Sequence, residues 1–296
     1  MTLYSINTFG RHFLEQGQDL LPSDRGDLNW VLSGIVLACK IIGQEIRRIG
    51  LSDARQATGS TNTHGEDQQG LDIFANKVLT EYLGTRGNVG LIASEEHERP
   101  VVLAENPTDG EYLVLFDPLD GSSNLELNVS VGTIFSVYRR KLGSAASTDA
   151  EVLQRGHDQI VAGYVIYGPS TMLVYTTGYG VHGFTLDPSI GTFVLSHPDI
   201  NMPHRGSIYS VNESYADAFP HYCRRFLHWL RSGGRCALPV SIHWITRGRF
   251  SSHTAQRGRV YVSPNIVLSR TQATSALRSQ SDRFSGRTSG WHGHGR

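Results

Sequence analysis

The sequence predicts an α/β fold of mixed sheets and helices, and the order of its periodic segments carries that prediction. Apolar residues first recur at helical spacing: Leu28, Leu32, Ile35, Cys39, Ile42, Ile46 and Ile49, then Leu71, Phe74, Val78 and Tyr82. They give way to short apolar runs punctuated by Gly and Pro, which read as strands. Helices first and a strand-rich middle afterwards suit sheets layered with helices.

The first stripe advances in alternating steps of four and three, and Asp24 or Asp27 is placed to cap its start. The polar stretch "ATGSTNTHGEDQQG" (57–70) separates it from the second amphipathic helix. "VGLIAS" (89–94) and "EYLVLFD" (111–117) have the length and apolar content of buried strands. "VGTIFSVY", "QIVAGYVIY", "MLVYTT" and "VHGFTL" follow in quick succession. "YADAFPHYCRRFLHWLRSG" (215–233) reads as another helix that ends at Gly233.

At 296 residues the chain can bury a sizeable core, as one large domain or two smaller ones. Acidic and basic residues number 27 each, so net charge points to no class of partner. The three cysteines, Cys39, Cys223 and Cys236, lack metal-ligand spacing and read as thiols of a reducing compartment. The first residues lack the basic-then-apolar layout of a signal peptide. The longest apolar stretch, "VLSGIVLACKII", is too short to span a bilayer. These features lead us to expect a cytoplasmic location and no membrane partner.

"LFDPLDGSSN" (115–124) carries the chemistry. Pro118 has no N–H for a ladder, so the strand is expected to end at Asp117, with a tight turn setting Asp117 and Asp120 on one side. Adjacent carboxylates oppose each other's ionisation unless a cation lies between them. Oxygen-only ligands favour hard cations such as Mg²⁺ or Mn²⁺. Gly121, Ser122, Ser123 and Asn124 suit a helix start, whose N–H groups can hold a phosphate. One loop thus offers cation ligands beside an anion cradle, the equipment for metal-assisted phosphate ester hydrolysis. The same composition also suits a plain surface β-turn.

Two further acidic stretches bear on that choice. "IASEEHE" ends an apolar run in Glu95 and Glu96, which alone also reads as a solvated charge pair. If two adjacent strands finish at one sheet edge, Glu95, Asp117 and Asp120 converge there. "HGEDQQGLD" adds Glu66, Asp67 and Asp72 on a loop entering a helix, where the dipole favours acids in any case.

"ATGSTNTHGEDQQGLDIFANK", "IASEEHE", "LFDPLDGSSN", "VGTIFSVYRR" and "GFTLDPSIGTFVL…GSIYSVNESYADAF" together resemble class 1 fructose-1,6-bisphosphatase, in order from about Leu28 to Tyr222. "VAGYVIYGPSTMLVYTTG" resembles the bacterial form. The "DPLDGS" core is shared with inositol monophosphatase and its lithium-sensitive relatives, whereas "SSN" and "VGTIFSVYR" point to the sugar bisphosphatase branch. The resemblance implies a layered α-β-α-β-α fold. It also implies Mg²⁺-dependent hydrolysis of the 1-phosphate of fructose 1,6-bisphosphate, in gluconeogenesis or the Calvin cycle.

On that resemblance Glu95, Asp117 and Asp120 hold two or more Mg²⁺ ions, with Mn²⁺ as a substitute, and Leu119 adds its carbonyl. Glu96, Glu66 and Asp72 assist metal binding and water activation. The backbone of Asp120, Gly121, Ser122 and Ser123 cradles the 1-phosphate, and Asn212 and Tyr215 contact the 6-phosphate side of the sugar. The partners implied are a sugar bisphosphate and further copies of the chain in a homotetramer. The implied domains are 1–198 for metal and phosphate and 199–232 as the start of a sugar-binding domain.

Two departures stand out. Family members often carry a nucleotide-inhibitor site, and "DRGDLNW" (24–30), Tyr112 and Arg139 match parts of it. The lysine expected before that tyrosine is Glu111, whose carboxylate repels a phosphate, so strong AMP inhibition is not expected.

The second departure is residues 233–296. From Ala218 onward Asp282 is the only acid against thirteen arginines, and the expected Arg-Tyr-x-Gly-Ser and Gly-Lys-Leu-Arg-Leu motifs are missing. We read this basic stretch as translated out of frame from a GC-rich gene, in keeping with only three lysines, Lys40, Lys77 and Lys141. Other readings of the chain are an inositol or nucleotide phosphatase, or a non-catalytic protein whose basic tail binds nucleic acid. The tail has no recognition motif, and no nucleic-acid partner is expected.

Overall fold

The computed structural model describes residues 6–16, 22–49, 51, 57–61, 67–105, 109–140, 151–201, 219 and 221–231. Its helices are α1 (Phe9–Gln16), α2 (Pro22–Arg47), α3 (Gly70–Gly84) and α4 (His221–Arg231). Its strands are β1 (Ala57–Thr61), β2 (Asp67–Gln69), β3 (Val89–Ser94), β4 (Val101–Val102), β5 (Tyr112–Asp120), β6 (Val131–Arg139), β7 (Val161–Tyr167), β8 (Thr171–Thr176), β9 (His182–Asp187) and β10 (Thr192–His197). Two 3₁₀ turns, η1 (Ser122–Leu127) and η2 (Gly156–Asp158), complete the described elements.

Eight strands form one mixed sheet in the order β10-β9-β8-β7-β6-β5-β3-β4. Within it β3 and β5 run parallel and the other neighbours are antiparallel. The parallel pair needs a crossover, whereas β5 to β10 is an antiparallel meander, with a long link over residues 140–160 between β6 and β7 and short turns from β7 to β10. The expected mixed α/β architecture is therefore present. The layers implied for the C-terminal half lie outside the described residues.

Helices α2 and α3 pack on one face of the sheet. Leu28, Val31, Leu32, Ile35, Cys39 and Ile42 from α2, with Leu71, Ala75, Val78, Leu79 and Leu83 from α3, meet Val114, Phe116, Phe135, Val165 and Leu173 of the strands. A smaller cluster of Leu91, Ala93, Leu113, Leu115, Tyr138 and Val152 occupies the other face. Both faces of β3 and β5 are buried, which explains their unbroken apolar runs. The segment Gly26–Arg47 has the length and mean hydropathy, 1.3, to cross a membrane. This exceeds what the run 31–42 suggests, but its apolar stripe is spent on the sheet.

Several local expectations change. Strand β5 does not end at Asp117 but continues through Pro118 to Asp120. Its register against β6 shifts between Asp117↔Ile134 and Asp120↔Gly132. Pro118 and Leu119 thus face the single residue Thr133, the two-for-one mismatch of a β-bulge. A bulge is one of the few places where proline fits inside a sheet.

The stretch 57–70 holds the paired strands β1 and β2, because a small antiparallel ribbon needs no apolar alternation to form its ladder. Helix α2 starts at Pro22, so Asp24 and Asp27 lie inside it and not at its cap. Proline is well suited to a first helical position. Helix α4 spans 221–231 and begins after Pro220, shorter than the expected 215–233.

Helix α1 and strand β10 carry weak sequence signals and appear only through packing. Phe9 lies edge-on to Tyr175 and Phe184 at ring-centroid distances of 5.1 and 5.4 Å. His12 meets His182 at 4.5 Å, and its Nδ1 lies 3.0 Å from the Tyr175 hydroxyl. Both histidines are 4% exposed.

Burial, reinforced by His182, lowers the His12 pKa below its ordinary 6.5. The native chain then resists the proton that the unfolded chain accepts, so stability falls as pH drops below about 6.5. His97, also lowered by burial, adds in the same direction. We expect the thermal midpoint to be level above pH 7 and to fall between pH 6.5 and 5. In His12→Gln that fall should be shallower, as read by circular dichroism melts across pH. An equal slope in the variant would remove His12 as a source.

Candidate functional site

The bulge decides where the two aspartates point. On a regular strand, residues three apart lie on opposite faces. Here Asp117 pairs with Ile134 and Asp120 with Gly132, two positions apart on β6 and so on one face of it. Cross-strand partners share a face, so Asp117 and Asp120 do too. Phe116 and Leu119, both in the helix-side core, show the same skipped step on the other face. Both aspartates are buried, at 6% and 8% exposure. The Leu119 N–H donates to Asp117 Oδ1 at 3.1 Å, within the bulge itself.

Strand β3 brings the next acids to this end of the sheet. It pairs in parallel with β5 up to Ser94↔Phe116, and the Glu95 N–H donates to the Phe116 carbonyl at 3.1 Å. Glu95 therefore follows β3 at the level where Asp117 continues β5, and Glu96 comes next in a turn. Both are partly buried.

That turn is braced from α3. The Ser94 hydroxyl donates to Asn76 Oδ1 at 2.7 Å, and Ser94 Oγ accepts from the Glu96 N–H at 3.2 Å. The Asn76 amide nitrogen donates to His97 Nε2 at 2.9 Å. Burial lowers the His97 pKa, which suits a neutral ring accepting at Nε2. These contacts put the first turns of α3 beside the carboxyl end of β3. Asp72, 4% exposed, lies one turn before Asn76.

After Asp120 the chain turns at Gly121, whose φ of 83° is left-handed and costs glycine nothing. A helix start was expected here. The structure has the six-residue 3₁₀ turn η1 with no side-chain cap at Gly121, where the Asn124 N–H donates to the Gly121 carbonyl at 2.8 Å. Ser122 is partly buried and Ser123 lies in the same turn. Asn124 Oδ1 is buried with no protein partner among the described residues.

The structure thus gathers Glu95, Glu96, Asp117, Leu119, Asp120 and the Gly121–Ser123 turn at one end of β3 and β5, with Asp72 on the adjoining helix. Glu66, Asn212 and Tyr215 lie outside the described residues.

The donor set fits a hard cation in kind: it is all oxygen, and two of its carboxylates are buried on one face. Among the described residues no three acidic, imidazole or thiol groups converge on a metal-ligand point. The site's fit therefore rests on residue type and strand register. The bracing residues Asn76, Ser94, His97 and Thr133 lie within the family-like stretches, but no role was read for them from the sequence. For Ser94 and Thr133 the available signal was a polar residue inside an apolar run.

At a distance from this site, Arg139 Nη1 donates to Glu111 Oε2 at 3.1 Å, and its guanidinium lies 5.6 Å from the centre of the buried Tyr112 ring. The unusual acid before Tyr112 is thus the ion-pair partner of the arginine expected to serve a nucleotide.

Comparison with known proteins assigns the architecture. The family described as "Fructose-1-6-bisphosphatase, N-terminal domain" matches residues 7–198. The class 1 fructose-1,6-bisphosphatase of Chlorobium chlorochromatii is 45% identical over 243 residues, 81% of this chain and 72% of its own length. That of Nitratidesulfovibrio vulgaris is 48% identical over 228 residues, 76% of this chain and 67% of its own length. The crystal structure of Leishmania major fructose-1,6-bisphosphatase in holo form superposes with a TM-score of 0.71 at 36% identity, over 78% of this chain and 71% of that one. With the match spanning more than half of the residues and the acids at the ends of β3 and β5, the chain belongs to the class 1 fructose-1,6-bisphosphatase family.

Proposed function

We propose that this protein hydrolyses the 1-phosphate of fructose 1,6-bisphosphate to fructose 6-phosphate and phosphate, with Mg²⁺ or Mn²⁺ as cofactor. The observation that carries the reading is the same-face placement of Asp117 and Asp120 next to Glu95, in a chain 45–48% identical to class 1 fructose-1,6-bisphosphatases.

Asp117, Asp120, Glu95 and the Leu119 carbonyl would hold the ions. When bound, these would neutralise the phosphate, lower the pKa of a water and steady the leaving alkoxide. The chain's own groups do the rest. Glu96 accepts a proton from the attacking water, assisted by Glu66 and Asp72. Backbone N–H groups from Asp120 to Ser123 hold the 1-phosphate, while Asn212 and Tyr215 hold the 6-phosphate end. The bulge keeps both aspartates oriented before any ion arrives, which lowers the reorganisation the site needs.

The domain reading keeps 1–198 as the metal and phosphate unit and 199–232 as the start of the sugar-binding unit, in a cytoplasmic homotetramer serving gluconeogenesis or the Calvin cycle. The Glu111–Arg139 pair supports weak AMP sensitivity, since an incoming phosphate must displace a carboxylate from the arginine.

Residues 233–296 we read as out of frame. The relatives' alignments leave about a fifth of this chain and over a quarter of each relative unmatched, in keeping with a break. An inositol or nucleotide phosphatase would be separated by a substrate panel with Mg²⁺. A nucleic-acid-binding protein would show salt-dependent retention on DNA.

In an active parent carrying an in-frame C-terminal segment, Asp117→Asn or Asp120→Ala is expected to cut Mg²⁺-dependent phosphate release below about a tenth of the parent's, a barrier change of roughly 1.4 kcal/mol. The fold should survive, because one of two facing like charges is removed. Turnover above that level in either variant would cancel the assigned roles.

In that active parent, activity is expected with Mg²⁺ or Mn²⁺, absent in chelator and inhibited by lithium. Full turnover in chelator would end the metal reading.

The chain as written is expected to be weakly active or inactive. Reading the DNA for residues 225–296 in all three frames should reveal Arg-Tyr-x-Gly-Ser and Lys-Leu-Arg-Leu motifs in another frame. Confirmed DNA without them rules out a frame error.

A further inference from the structure

The bulge that turns Asp117 and Asp120 to one face must itself be held. Two residues of β5, Pro118 and Leu119, stand opposite one residue of β6, Thr133. A bulge interrupts the ladder, so a carbonyl within it needs a partner from outside. All of β5 is buried, and water is a poor candidate there. The Thr133 hydroxyl donates to the Pro118 carbonyl at 2.9 Å. Thr133 is 0% exposed.

The direction of the next bond follows from proton counting. A carbonyl can only accept, so Thr133 spends its one hydroxyl proton on Pro118. The Tyr167 Oη, 2.8 Å from Thr133 Oγ1, must then donate to it. Tyr167 is 4% exposed and sits on β7. The buried Cys39 of α2 lies close to it. Cys39 is pushed up to about 11 by burial, and Tyr167 well above its ordinary 10, so both keep their protons at neutral pH.

Gly43, one turn after Cys39, gives the tyrosine ring its room: a Cβ there would lie 3.1 Å from Tyr167 Cδ1. A chain of hydrogen bonds therefore runs from Tyr167 on β7 through Thr133 on β6 to the peptide between the two aspartates.

We infer that Thr133 and Tyr167 are positioning residues for the reaction, which lock the Pro118 carbonyl and thereby the common face of Asp117 and Asp120. The inference rests on the metal-site reading above for its meaning, but the lock can be tested without a metal. Threonine and not valine is required at 133, because valine keeps the shape and leaves both the carbonyl and the tyrosine hydroxyl unpaired.

The test compares the full chain with Thr133→Val, Thr133→Ser and Tyr167→Phe. Backbone hydrogen exchange is read on peptides covering 116–121 and, as a control, 182–197, in chelator. Thr133→Val should exchange about tenfold faster at 116–121, as expected for a buried polar group left unpaired, with little change in the control. Thr133→Ser should restore the parental rate. Tyr167→Phe should move the same peptide by a smaller factor. Unchanged exchange at 116–121, or an increase shared equally with the control, overturns the lock. If the valine chain does not fold, Tyr167→Phe decides by the same comparison.

Mn²⁺ affinity, read by electron paramagnetic resonance, supplies the second arm. It should weaken about tenfold in Thr133→Val, again as for one unpaired buried group, and be parental in Thr133→Ser. Asp117→Asn distinguishes the two failures. If it binds Mn²⁺ as the parent does, the metal reading falls while exchange still decides the lock.

Discussion

The site depends on a mismatch of one residue between β5 and β6. Two residues, Pro118 and Leu119, occupy the place of one, and the register slips between Asp117 and Asp120. Without that slip the aspartates would point to opposite sides of the sheet, because side chains alternate along a strand. With it they share a face, and the core still receives Phe116 and Leu119 on the other side. The packing requirement and the placement that the proposed metal site needs are met by the same extra residue. The constraint is strict because a buried sheet offers no solvent to satisfy a broken ladder, so each polar group in the bulge needs a protein partner. Thr133 and the Leu119 amide provide two of those contacts.

The rest of the sheet delivers neighbours to that point. Parallel pairing of β3 with β5 sends both strands out at the same end, where Glu95 and Asp117 arrive at one level. An antiparallel β3 would have put its terminal acids at the other end of the sheet. Helices α2 and α3 on one side and the smaller apolar cluster on the other bury both faces of the two strands, and that burial is why the acids follow unbroken apolar runs. Helix α3 then ties its first turns to the end of β3 through Asn76, Ser94 and His97, so Asp72 approaches from the helical layer. The arrangement obeys the rule that sites in α/β sheets form beyond the carboxyl ends of parallel strands.

The same sheet shows how one substitution can alter a distant surface without touching the site. Strand β5 is preceded by Glu111 and ends at Asp120, and β6 runs back from Val131 to Arg139. The acid at one end of this pair engages Arg139, which also lies over the Tyr112 ring. Both ion-pair partners are about half exposed, so the bond adds little stability, and its consequence is electrostatic: it covers positive charge that an anion would otherwise meet.

Sequence alone determined a good deal. Apolar spacing marked α2 and α3, since a helix packed on one face repeats near every 3.6 residues. Unbroken apolar runs marked β3 and β5, and acids at the ends of those runs marked the site. Family-like motifs extended that to named roles for Glu95, Asp117 and Asp120.

Tertiary structure decided what those local patterns could not carry. Pro118 read as the end of a strand because its missing N–H is a local fact, whereas a bulge exists only relative to the opposing strand. Helix α1 and strand β10 have short, mixed sequences and form because Phe9, Phe193 and Phe184 bury one another's surroundings in a common core. Thr133 and Tyr167 looked like ordinary strand residues, for nothing along the chain reveals which carbonyl a hydroxyl will meet. The choice of face for each aspartate, on which the proposed chemistry turns, was settled by register between strands, a property that two segments share and neither encodes by itself.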